Sequence, residues 1–302
     1  MGFFFGIASS PANALSVPVC SIQHVTFSVL TAVTSLPDPL VPFVSVHPSS
    51  IATARYRSPP CVAAVAHAPT VFGAMHAMET FAQLYQLGRL VDHATIADAP
   101  DWPHRGLMVD AGRRFLPIPL LEALVDGLSY SKMNVIHLHL SDEPAMRLES
   151  KLFPELTAAL PPGSFYTQAD MRSFVAYAAQ RGVRVVPEID VPAHAGGLAP
   201  LVKRGLKYCD GAAKTTLAAD AGTLAVLDNL FGELVTVFSD EVIHFGADEA
   251  CKHDECPAGC TYDGVHLLEK HMQTTIRALG KTPMGWNDVF SDPKGSTPNV
   301  RG

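Results

Sequence analysis

The chain has 302 residues, 48% of them hydrophobic and 17% charged, a core-forming composition that excludes an intrinsically disordered protein. The net charge of −7, with histidine neutral, excludes the basic stripe that a nucleic-acid partner requires. No apolar run reaches the roughly 18 residues of a membrane-spanning helix, so stable membrane insertion is not expected.

Residues 1–70 are rich in Pro, Ser, Val and Ala and carry few charges. No period of 2 or 3.6 residues persists there, so a leader followed by a poorly ordered or degenerate segment is expected. The opening Met1-Gly2-Phe3-Phe4-Phe5-Gly6-Ile7-Ala8 is apolar, and Ala12-Asn13-Ala14 fits a small-residue cleavage site. The positive flank of a secretory signal is missing, and there is no Asn-x-Ser/Thr acceptor. A secreted or lysosome/vacuole-like location is the resulting expectation. Residues 71–104 form the next unit. Phe72 to Gly88 reads as a helix, with Met75, Met78, Phe81, Ala82 and Tyr85 near helical spacing, and a linker from Ala99 to His104 follows.

Residues 105–302 alternate between strand and helix signals. Strands are expected at Gly106 to Asp110, Asn134 to Leu140, Val183 to Ile189, Glu241 to Ala247 and Lys281 to Trp286. Helices are expected at Leu120 to Tyr130, after the capping-box run Thr167-Gln168-Ala169-Asp170, at Leu224 to Phe238 and at Val265 to Leu279. This alternation predicts an α/β fold with a parallel sheet. Polar residues fall at or just after each strand's end: Asp110, His139 with Asp142, Asp190 with His194, Asp248 with Glu249, and Trp286 with Asp288. Five such clusters in succession point to a (β/α)8 barrel of the TIM type, whose catalytic face is built from those ends.

The pair Asp248-Glu249 ends an apolar run with no other charge after Glu241. Adjacent carboxylates in different environments can divide the work of glycoside cleavage, one donating a proton and one stabilising positive charge. His137 and His139 alternate on a strand and share a face, which fits a packed hydrogen-bonded layer better than metal ligands. Among the six cysteines, the run Cys251 to Cys260 does not match common zinc spacings. Disulfides or free thiols are favoured there. One candidate bridge joins Cys209 to Cys251 or Cys256.

These segments together resemble the glycoside hydrolase family 20 β-N-acetylhexosaminidases. The family's His-x-Gly-Gly-Asp-Glu is matched by His244-Phe245-Gly246-Ala247-Asp248-Glu249, with Ala247 in place of the second Gly. Arg105-Gly106-Leu107-Met108-Val109-Asp110, continuing to Arg114-Phe115, resembles its entry strand, and Lys132 to Asp142 its second strand. Pro187-Glu188-Ile189-Asp190-Val191-Pro192-Ala193-His194 resembles Pro-Glu-Ile-Asp-x-Pro-Gly-His, with Ala193 for Gly. Phe72 to Leu84 is similar to the helix that precedes the barrel. The resemblance implies a retaining mechanism in which the substrate's 2-acetamido oxygen is the nucleophile. It further implies Glu249 as general acid and base, and Asp248 as the holder of the acetamido N–H. Asp142 and His194 become a hydrogen-bonded pair beside Glu249, Arg105 a clamp on sugar hydroxyls, and Trp286 a wall of the acetamido pocket. Asp110 and Asp190 are candidates for residues that support the site from behind. The implied partner is an amino-sugar-terminated glycan, with no cofactor and no metal, and a homodimer is compatible with it. Only about five barrel strands can be assigned before Gly302, so an incomplete barrel, truncated at the C-terminus, is expected. A fragment without activity is the alternative.

Overall fold

The computed structural model describes residues 43–48, 62–84, 95–251 and 255–289, and the chain divides into two units, residues 1–103 and 104–302. In the first unit, β1 (Phe43–Pro48) pairs antiparallel with both β2 (Val62–His67) and β3 (Thr95–Ala97), giving the order β2-β1-β3. Helix α1 (Val71–Leu84) follows β2, and its Ala77 joins Ala66 and Ile96 in a small buried cluster. β1 and β2 correct the expectation that residues 1–70 lack regular elements. Each is six residues long, too short for its alternation to stand out in a wider window. The leader reading, Cys20, Cys61 and the last turn of the helix expected to reach Gly88 lie outside the described residues.

The second unit carries the alternating elements. β4 (Gly106–Asp110) leads to α2 (Ile118–Tyr130), whose entry is fixed by Pro117 and a Pro in its first turn. β5 (Val135–His139) is followed by the two-residue strands β6 (Ser141–Asp142) and β7 (Ala145–Met146), which pair antiparallel. The short α3 (Glu155–Ala158) precedes α4 (Gln168–Ala179). The expected capping box is formed: Thr167 accepts from the Asp170 amide, and the Asp170 side chain accepts from the Thr167 amide. Such a cap contributes about 1 kcal/mol. β8 (Arg184–Glu188) leads through a 3₁₀ segment, Gly196–Arg204, to α5 (Ala221–Leu234), capped by Asp220. β9 (Val242–His244) leads to α6 (Tyr262–Ala278), capped by Thr261, and β10 (Thr282–Met284) follows.

The five long-range strands are all parallel and lie in the order β4-β5-β8-β9-β10, which is also their order in the chain. Sequential parallel neighbours joined by helices are the construction of a (β/α)8 wall. Val135, Ile136, Leu138, Val185 and Val186 are buried, as expected where helices cover the sheet. Phe174 of α4, Phe231 of α5 and nearby Phe238 are fully buried in the same core as Ile243 and Phe245. Truncating any of these aromatics costs about 3–5 kcal/mol. The described sheet has β4 and β10 at its edges, and on β4 Leu107 and Met108 are 40% and 44% exposed.

Candidate active site

Strand register sets the site. Asp110, His139, Glu188, His244 and Met284 are aligned partners across β4, β5, β8, β9 and β10. They therefore form one row at the C-terminal edge of the sheet. Asp142, Asp190, Trp286 and Asp248 lie two to four residues past this row in the chain and build the rim above it.

Glu188 is the hub of the row. It is fully buried, its Oε2 is 2.7 Å from His137 Nε2 and 2.9 Å from His139 Nδ1, and its Oε1 accepts from Trp286 Nε1 at 2.9 Å. Burial opposes its charge, but the facing imidazoles of His137, His139 and His244 outweigh that and hold the carboxyl well below the usual range. His137 and His139 thus do share a face, and Glu188 is what they share it for. His244 Nδ1 accepts the Gly246 amide at 3.0 Å. Its Nδ1 is also 3.2 Å from Glu188 Oε1. Burial, ahead of every other influence, depresses its pKa. Trp286 packs its indole against His137 and His244, with centroids 5.4 and 4.9 Å away.

The row also contains three-donor groupings of the sort that hold metal ions, His137–Glu188–His244 and His139–Glu188–Asp190. The 2.7 and 2.9 Å approaches to Glu188 are shorter than the roughly 3.3 Å between two ligands of a tetrahedral zinc with bonds of about 2.0–2.1 Å. They are ion-pair distances, without hydrogen-bond geometry at His137 Nε2, His139 Nδ1 or Glu188 Oε2.

The Asp248–Glu249 pair is delivered by an unusual backbone. Gly246, Ala247 and Glu249 have φ of 72°, 71° and 56°. Only the first is a glycine, so the other two carry left-handed strain of about 1–2 kcal/mol each. Gly246 cannot be replaced without conflict, because a Cβ there would lie 1.7 Å from Asp190 Oδ1. The turn brings the Ala247 amide onto that same Asp190 oxygen at 3.1 Å. Asp190 is completely buried. Burial first, and then the negative charges of Glu188 and Asp248, push its carboxyl well above the ordinary range. A protonated Asp190 can donate to Asp248. Glu249, by contrast, points outward, its side chain 49% exposed.

His194 meets the pair from the loop after β8, past the cis Val191–Pro192 bond and at a left-handed φ of 52°. Its Nε2 is 3.4 Å from Glu249 Oε2 and 3.8 Å from Asp248 Oδ2. On the other side Nδ1 is 2.9 Å from Glu143 Oε1 and 3.6 Å from Asp142 Oδ1. The expected Asp142–His194 hydrogen bond is therefore corrected: 3.6 Å is beyond hydrogen-bond reach, and Glu143 takes the contact. Asp142 instead accepts from His139 Nε2 at 3.0 Å and pairs with Arg113 at 2.7 Å.

Arg105 immediately precedes β4. Its Nε donates to the Lys132 carbonyl and its amide to Asn134 Oδ1, at the N-terminal end of the sheet and about 16 Å of strand from Asp110. Arg113 is the arginine among the rim carboxylates, bridging Asp110 and Asp142. Arg113 was not singled out in the sequence; the i, i+3 spacing of Asp110 and Arg113 was the available signal. Glu188 and Glu143 were also not singled out. A carboxylate inside Val185-Val186-Pro187-Glu188-Ile189 was a legible sign, since an apolar strand seldom carries an unpaired charge.

The loop after Glu249 is fastened by two disulfides, Cys251–Cys256 and Cys209–Cys260. This corrects the expectation that Cys209 bridges to Cys251 or Cys256. Gly259, at φ 96°, brings its backbone against the Cys209 carbonyl, where a Cβ would approach to 2.3 Å, and so places Cys260 beside Cys209.

Comparison with known proteins agrees with this geometry. Residues 102–300 match the model of the glycosyl hydrolase family 20 catalytic domain. The chain is 33% identical over 245 residues to beta-hexosaminidase subunit A2 of Dictyostelium discoideum, covering 74% of this chain and 45% of that protein. It is 36% identical over 259 residues to the mouse beta-hexosaminidase subunit beta, covering 76% and 47%. Among solved structures, the GH20 beta-N-acetylhexosaminidase of Streptomyces coelicolor superposes with a TM-score of 0.71 at 26% identity, covering 89% of this chain and 56% of that one. The chain spans about half the length of the curated relatives it matches. With a family model matched over most of its length and its motif residues gathered at one end of a parallel sheet, the chain belongs to glycosyl hydrolase family 20.

Proposed function

We propose that the protein is a β-N-acetylhexosaminidase that removes terminal non-reducing N-acetylglucosamine or N-acetylgalactosamine from glycans. The observation that carries this reading is the Asp248–Glu249 turn, which sets Asp248, 28% exposed, against buried Asp190 and leaves Glu249, 49% exposed, beside His194. Glu249, half-exposed and 3.4 Å from His194 Nε2, protonates the leaving oxygen and then accepts a proton from water. Asp248, backed by Asp190, orients the substrate's acetamido N–H, so that the acetamido oxygen attacks the anomeric carbon. Trp286, held by Glu188 at the end of β10, offers an apolar face to the acetamido methyl group. No cofactor enters any of these steps.

The two disulfides support an oxidising compartment, secreted or lysosome-like. No helix among the described residues is long and apolar enough to cross a membrane.

Hydrolysis of a chromogenic N-acetyl-β-glucosaminide by the wild type, set against Glu249→Gln, tests the reading. Loss of the proton donor lowers turnover by about 10²–10⁴, while an exposed Glu→Gln change leaves thermal stability within about 0.5 kcal/mol. A second reading, sugar binding without turnover, draws on the exposed Leu107 and Met108 at the β4 edge. Equal inertness of wild type and variant supports that second reading.

A further inference from the structure

We propose that His139 is a positioning residue, a buried imidazolium that locks the Asp142 carboxylate under the rim and ties it to the Glu188 hub on which Trp286 is held. As it concerns catalysis, this rests on the hydrolase reading above.

The argument is one of donors and acceptors. His139 Nε2 is hydrogen-bonded to Asp142 Oδ2 at 3.0 Å, and its Nδ1 is 2.9 Å from Glu188 Oε2. An ionised carboxylate only accepts, so a ring between two of them must present N–H on both sides, which only the charged imidazole does. Glu188 is held well below the usual range, and Asp142 is fully buried but salt-bridged to Arg113 at 2.7 Å. The alternative acceptor pattern, a neutral His139 with one bare nitrogen against a buried carboxylate, would leave two lone pairs opposed in a dry site. His139 is 4% exposed, so little water can relieve that opposition.

Carboxylates predominate among the charged and titratable groups around the ring. From β4 come Asp110 and, just beyond it, Arg113. Glu188 faces the ring from β8 and Asp142 from β6. His137 shares its own strand, and burial lowers the pKa of His244 on β9. Asp110, Asp142 and Glu188 thus face His139 against the cation of Arg113, and Asp190, in the same cluster, is pushed by burial toward its neutral form. Burial alone would drive the ring neutral, but these carboxylates outweigh it and push its pKa up to about 9.

The consequence lies one residue further out. Asp142 sits 3.6 Å from His194 Nδ1, and His194 faces Glu249. A charge fixed at His139 therefore sets where the Asp142 carboxylate stands and how negative the environment of the acid–base pair is. A positive charge two groups from Glu249 favours release of its proton; without it the proton is held to higher pH.

The test uses the full chain labelled with ¹⁵N-histidine. In the wild type, both ring nitrogens of His139 are expected to stay protonated from about pH 6 to about pH 8 and to titrate only near 9. The resonance is assigned by its loss in His139→Gln, or by through-bond correlation should that variant not fold. A wild-type His139 that is neutral at pH 7 overturns the proposal whether or not the chain turns over substrate. In turnover, His139→Gln is expected to lower kcat about tenfold or more with KM little changed. The basic limb of its kcat/KM profile is expected to move to higher pH. An equal fall at every pH would mean that His139 only supports the fold, and would also overturn the proposal. If even the wild type is inert, it is the hydrolase reading that fails, and the nitrogen titration still decides the state of His139.

Discussion

Gly246→Ala is the substitution whose effect the structure specifies most completely. At φ 72° an alanine pays left-handed strain of about 1–2 kcal/mol. Its Cβ would also fall 1.7 Å from Asp190 Oδ1, 2.3 Å from Asp190 Cγ and 2.8 Å from Asp190 Cα. Asp190 cannot swing aside freely. Its amide donates to Ser141 Oγ at 3.0 Å, its Oδ1 accepts from Ala247, and it is fully buried. Forcing it to move costs what overpacking usually costs, about 1–3 kcal/mol. The sum is about 2–5 kcal/mol. Gly163→Ala is the matched control, because Gly163 has nearly the same φ, 75°, but nothing within 4 Å of its Cβ. It should pay the strain alone, about 1–2 kcal/mol. At about 2–4 °C per kcal/mol for a unit of this size, Gly246→Ala lowers Tm by roughly 4–20 °C and Gly163→Ala by roughly 2–8 °C. Thermal unfolding of the two variants side by side measures the difference. Equal losses would refute the close approach of the catalytic turn to Asp190.

Three other outcomes follow from the same contacts. Asp190→Asn should be tolerated, since an amide mimics the protonated acid and its oxygen can still accept from Ala247. Asp190→Ala should cost about 1–3 kcal/mol through the unsatisfied amide, and chemical denaturation of the two variants distinguishes them. The charge on His139 makes stability depend on pH. Its folded pKa of about 9 lies above the reference 6.5, so its contribution is full below about 6.5 and is lost as pH rises through about 9. That contribution is on the order of 3 kcal/mol, and denaturation between those pH values should show a fall that His139→Gln lacks. Removing the disulfides should cost unequal amounts. Sequence separations of 51 for Cys209–Cys260 and 5 for Cys251–Cys256 give loop-entropy losses of about 4 and about 2 kcal/mol, measurable with paired Cys→Ser variants.

Much of the second unit was legible because its signals are local. β5 and β8 are apolar runs bounded by turns, and α4 is announced by Thr167 and Asp170. The strand ends mark the site because side-chain chemistry collects where a parallel sheet opens. What stayed hidden depends on register and reach. Glu188 becomes the hub only when His139 and His244 are its aligned partners. Arg113 and not Arg105 meets the rim carboxylates, because Arg113 lies beyond the strand's C-terminal end and Arg105 before its start. Glu143 reaches His194 where Asp142 was expected, since Asp142 is drawn inward by His139 and Arg113. β1 and β2 are held by pairing with each other, which leaves little trace in six residues. The cysteine pairing was likewise set by a backbone approach at Gly259 that no spacing reveals.

The central claim is that Glu249 and Asp248 cleave a glycosidic bond with the substrate's own acetamido group as nucleophile. Its most direct test offers the wild-type protein two matched chromogenic substrates, an N-acetyl-β-glucosaminide and the β-glucoside that has a hydroxyl in place of the acetamido group. Turnover of the first with none of the second is the predicted result. Comparable hydrolysis of both would contradict the account, since the nucleophile would then have to come from the protein.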